Sequence, residues 1–75
     1  MQAPEQIRLI RMLLSRLERV SVDSYWAHRA SGIRGSLLKA LDQVEAGQAV
    51  DESGLKRLME RGFEILERAA EERSK

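Results

Sequence analysis

His28 is the only histidine in the 75-residue chain. It stands in the most unusual stretch, Tyr25–Trp26–Ala27–His28–Arg29–Ala30–Ser31–Gly32–Ile33–Arg34–Gly35–Ser36. The same stretch holds the only tryptophan, the only tyrosine and two of the five glycines. An imidazole is a natural general base near neutral pH. Here it lacks the company that such chemistry needs. There is no cysteine to act as a nucleophile. Ser24 and Ser31 read as ordinary helix-surface serines, and nothing is placed to orient the imidazole. No residue is assigned to catalysis, and His28 reads as a surface or interface histidine.

Metal chemistry is equally thin. Zinc sites built on cysteine, and clusters built on several histidines, are excluded by composition. Glu60, Glu64, Glu67 and Glu71 form a row of carboxylates at three- and four-residue steps. Di-iron sites need inward-facing carboxylates from several helices, usually with histidine. These four share one helix and face away from its apolar stripe. Arg57, Arg61 and Arg68 lie beside them, in position for pairs at i,i+3 and i,i+4. The row is expected to be a solvated, ion-paired face. No metal and no cofactor is expected, and no glycine-rich phosphate loop, nucleophile elbow, HExxH or EF-hand pattern is present.

Three segments carry helical periodicity. Ile7, Ile10, Leu13, Leu14 and Leu17 form one apolar stripe over residues 4–19, with Pro4 suited to the first helical position. The stretch from Val20 to Ser24 breaks the pattern and offers Ser21 and Asp23 as N-caps. Trp26, Ala30, Ile33, Leu37, Leu41 and Val44 then predict a helix over 24–46, with Gly47 as the residue that ends it. Leu55, Leu58, Met59, Gly62, Ile65, Leu66 and Ala69 predict a third helix over 52–73. Asp51 is its expected N-cap, and Val50 and Leu55 fall at the positions of a hydrophobic staple. Both connections are short, so neighbouring helices should be antiparallel.

The expected fold is all-α. It is a single-domain antiparallel three-helix bundle over residues 1–75, or one that a second copy completes by dimerising. Its core should set Trp26, Ile33, Leu37 and Leu41 against Ile10, Leu14, Leu17, Leu58 and Leu66. A domain this small seldom retains more than about 3–5 kcal/mol of net stability from its core. Disulfides are ruled out, and association is the common remaining device.

On a helical wheel with about 100° per residue, His28, Ser31, Gly32, Gly35, Lys39 and Asp42 of the second helix face away from the core. Glycine in a helix interior costs about 1 kcal/mol relative to alanine. Two glycines on one outward face mark a strip that another helix backbone can approach closely, as small residues permit in membrane helix pairs. The expected partner-binding set is Ser24, His28, Arg29, Ser31, Gly32, Arg34 and Gly35. Arg29 and Arg34 flank the core stripe on opposite sides and are expected to pair with acids of the third helix. On the first helix Leu9 and Met12 lie off the main stripe and widen its apolar surface.

Charge is split along the chain. Residues 1–40 carry seven basic and three acidic groups, and residues 41–75 carry six basic and nine acidic ones. The net charge of +1 is low for a dedicated nucleic-acid binder. No run approaches the ~20 apolar residues of a membrane span. Arg8 and Arg11 interrupt the N-terminal apolar run, which is not that of a signal peptide. A cytoplasmic location is expected. The expected function is a small non-catalytic helical interaction module that self-associates or docks a partner protein helix. The alternative is a nucleic-acid-binding accessory protein using Arg8, Arg11, Arg19, Arg29 and Arg34.

Overall fold

Apolar side chains at three- and four-residue spacing can leave water only if each helix turns its stripe toward the others. In this computed structural model, which describes residues 3–74, they do so as three α-helices: α1 (Ala3–Glu18), α2 (Ala27–Glu45) and α3 (Glu52–Arg73). Each helix packs against both others, so the fold is a three-helix bundle. Polar contacts fix the directions. Gln6 Nε2 of α1 donates to Glu52 Oε1 of α3 at 2.9 Å. At the other end, Ser24 Oγ, beyond the C-terminus of α1, donates to Glu72 Oε1 of α3 at 2.6 Å. α1 and α3 therefore run parallel, and α2 runs against both. Arg11 pairs with Glu45, and Arg34 with Glu18 at 3.9 Å, along the α1–α2 seam.

Ile10, Leu13 and Leu37 are fully buried, and Leu14, Leu17, Ala30, Leu41, Leu55, Met59 and Ile65 complete the centre. Gly62 is buried too, for a steric reason. A Cβ on it would stand 2.9 Å from Leu13 Cδ2 and 3.2 Å from Cγ. Its bare backbone gives Leu13 the space to lie between α1 and α3.

The ends follow local chemistry. α2 closes in a full Schellman arrangement: Gln48 N donates to Gln43 O at 2.9 Å, and Gly47 N to Val44 O at 3.1 Å. Gly47 takes φ +74°, the left-handed conformation that glycine adopts without a Cβ penalty. Before α3, Asp51 is extended at φ −75°, ψ 104°, as an N-cap residue should be. Its side chain makes no capping hydrogen bond but lies over Gly54. Leu55 is buried in the core and Val50 is half-buried against it.

Two expectations need correction. The second helix begins at Ala27 rather than Ser24, and neither Ser21 nor Asp23 caps it. Ser21 instead folds the connection into a turn, accepting from Asp23 N on Oγ at 3.2 Å and from Ser24 N on its carbonyl at 3.0 Å. The second correction concerns the core. Leu37 and Leu41 are buried with Ile10, Leu14 and Leu17, but Trp26, Ile33, Leu58 and Leu66 are only half-buried around that centre. Trp26 lies in the turn before α2, at the periphery, where the helical spacing that suggested a core anchor does not apply. The first helix begins at Ala3, one residue ahead of the expected Pro4, and the third matches its expected span.

Truncating Leu37 to alanine empties the centre of the bundle. Leu37→Ala should cost on the order of 2–5 kcal/mol, read as a lost or sharply lowered thermal unfolding transition; a melt within a few degrees of wild type would contradict this core. Gly62→Leu drives new atoms into Leu13 and should cost about 1–3 kcal/mol, whereas an unchanged melt would show that α1 and α3 do not meet there.

Candidate protein-interaction face

Helix α2 presents its outward side as an exposed row of His28, Ser31, Gly32, Gly35, Ser36, Lys39 and Asp42. The row follows from the buried stripe of Ala30, Leu37 and Leu41, which forces the opposite side of the same helix outward. A Cβ built on Gly32 or on Gly35 meets nothing within 4 Å. Among the described residues, no side chain of this row forms a hydrogen bond or an ion pair within the chain. The face is thus flat at its middle, with hydroxyls, an imidazole, an ammonium and a carboxylate along it.

The remaining residues of the expected binding set go elsewhere. Ser24 lies outside α2, in the preceding turn. Its Oγ donates to Glu72 and accepts from Trp26 N at 3.0 Å. Tyr25 N donates to Glu72 Oε2 at 3.1 Å, so both oxygens of one α3 carboxylate hold the α1–α2 connection. Arg29 and Arg34 do lie on opposite sides of α2. Neither pairs with a third-helix acid. The Arg29 guanidinium sits over the Trp26 ring, 5.5 Å from its centroid, a cation–π geometry. Arg34 reaches Glu18 of α1 instead. His28, Ser31, Gly32 and Gly35 therefore share the outward face, while Ser24, Arg29 and Arg34 serve contacts within the chain.

The five arginines of the nucleic-acid reading are divided in the same way. Arg11 and Arg34 are held by carboxylates on the α1–α2 seam, Arg29 lies against Trp26, and Arg8 on α1 and Arg19 just after it are exposed. Glu60, Glu64, Glu67 and Glu71 are all exposed, with Arg68 and Glu64 paired at 3.8 Å. Among the described residues no group of three or more acids and histidines is placed to hold a metal ion. No helix among them is long and apolar enough to cross a membrane.

Leu9 and Met12 are exposed at 40% and 36%, as the width of the α1 stripe implied. Two comparable residues, Leu38 and Phe63, were not singled out from the sequence and are exposed to 41% each. Each directly follows a buried residue, Leu37 or Gly62, and a helix turns about 100° between neighbours. A wheel drawn for each helix would have found them. No protein-family model, no curated protein and no solved structure matches this chain.

The Glu72 clamp yields a direct test. Ser24→Ala removes one donor to the carboxylate and the acceptor for Trp26 N. It should lower stability by about 0.5–1.5 kcal/mol and change the fluorescence of Trp26. An unaltered melt and spectrum would mean that the turn holds without the clamp.

Proposed function

We propose that this chain is a small non-catalytic interaction module that self-associates through the outward face of α2, with a second copy of the chain as its partner. A cytoplasmic location belongs to the same proposal and rests on the sequence reading. One contrast among the glycines carries it. Gly62 is crowded by Leu13, and Gly47 takes a positive φ. Gly32 and Gly35 answer to nothing inside the chain. Each costs about 1 kcal/mol of helix propensity, a burden for a 75-residue domain. A close contact from outside accounts for both.

The polar groups on the face favour a second copy. His28, Gly35 and Asp42 recur at seven-residue intervals, so they form one row along α2. Pairing two α2 helices antiparallel about a two-fold axis at Gly35 sets His28 of each copy beside Asp42 of the other. It also brings the two bare backbones together at the crossing. Such an isologous contact uses one patch twice, as closed dimers do.

The test is a pair of readings on each of two variants. Gly35→Ala should raise the stability of the dilute monomer by up to about 1 kcal/mol while weakening association in sedimentation. Gly35→Leu should remain helical by circular dichroism and lose association. A Gly35→Leu protein that melts higher and associates like wild type would overturn the proposal.

A further inference from the structure

A different surface, on the α2–α3 side of the bundle, gathers positive charge around an aromatic ring. Trp26 and Arg29 of one wall face Arg61, Glu64 and Arg68 of α3 across an open cleft of about 590 Å³. Its floor is apolar, made by half-buried Ile33 and buried Ile65. Three guanidinium groups meet a single carboxylate here. That carboxylate, Glu64, pairs with Arg68. Neither Arg29 nor Arg61 forms an ion pair among the described residues. Arg29 is instead laid over the indole, which holds it at the cleft wall. Like charges gathered over an apolar floor repel, and a bound anion relieves that repulsion.

We infer that this cleft binds a small phosphate monoester that carries a planar or apolar group. Three arginines against one glutamate leave two positive charges uncompensated, which matches the charge of a monoester dianion. Guanidinium groups donate in a planar fork that suits phosphate oxygens. The isoleucine floor, with Trp26 at the wall, offers the apolar surface against which the rest of the ligand lies. The volume falls within the range of small-ligand sites. The site is independent of the outward α2 face, so either can fail without the other.

Trp26 is the only tryptophan, so all tryptophan fluorescence comes from a residue on the wall of this cleft. Titration of the full chain with adenosine monophosphate, adenosine or inorganic phosphate, followed by that fluorescence and by amide NMR shifts, is the test. Adenosine monophosphate should bind saturably at millimolar concentration or below, with shifts centred on Arg29, Ile33, Arg61 and Arg68. Adenosine and inorganic phosphate should each bind roughly tenfold more weakly or worse, a difference of about 1.4 kcal/mol. Arg29→Gln and Arg61→Gln should each weaken binding of the monophosphate by about tenfold. Arg57→Gln removes one charge from α3 outside the cleft and should leave the affinity within about twofold. No saturable shift with adenosine monophosphate would overturn the inference. Equal affinity for either fragment, or equal weakening by Arg57→Gln, would overturn it as well, because the attraction would then not belong to this cleft.

Discussion

Leu13 lying on Gly62 is the close contact that lets α1 and α3 pack directly against each other. α1 and α3 run parallel, and a parallel pair in so short a chain is never joined directly. It is held by the contacts between its faces and by α2, which packs against both helices. Leu13 is fully buried there because Gly62 offers no side chain to oppose it. With α1 and α3 at that spacing, one groove remains on the other side. α2 fills it with Ala30, Leu37 and Leu41. The small residue at Ala30 and the large one at Leu37 follow the same logic of filling a fixed space at crystal-like density.

The ends of the bundle are managed by different means. At one end the left-handed Gly47 turns the chain toward α3, and Gly47 N and Gln48 N satisfy two carbonyls of α2. At the other, the α1–α2 connection has no side-chain cap of its own. It borrows the Glu72 carboxylate from the last turn of α3, 48 residues from Ser24. Once Ser24 is held there, Trp26 is placed at the rim of the core, with Tyr25 packed edge-on against it at 5.2 Å and Arg29 over its face. The outward face of α2 and the α2–α3 cleft thus both begin at a turn that α3 fixes.

What the sequence makes legible here is what depends on near neighbours. The periodic stripes, Gly47 and the start of α3 at Asp51 are local features, and each lies where the pattern puts it. The start of α2 is displaced because the competing partner of Ser24 and Tyr25 is remote. A helical spacing from Trp26 to Ala30 and Ile33 says nothing about Glu72. The expected pairs of Arg29 and Arg34 with acids of α3 fail for a related reason, whereas the local Glu64–Arg68 pair forms. Arg34 could be assigned to a side of α2, but the choice between Glu18 of α1 and the many acids of α3 depends on how the helices rotate against one another. The exposed glycines were visible as an anomaly of propensity. Only the empty space above them separates Gly32 and Gly35 from Gly62, which has the same residue type and an internal reason.

Association through α2 is the claim that ties the glycines, the flat face and the small core together. Its most direct test is the molar mass of the wild-type chain in solution, measured by light scattering over a wide concentration range. The mass should rise from one chain toward two as concentration increases. The mass of a single chain at every concentration would contradict it.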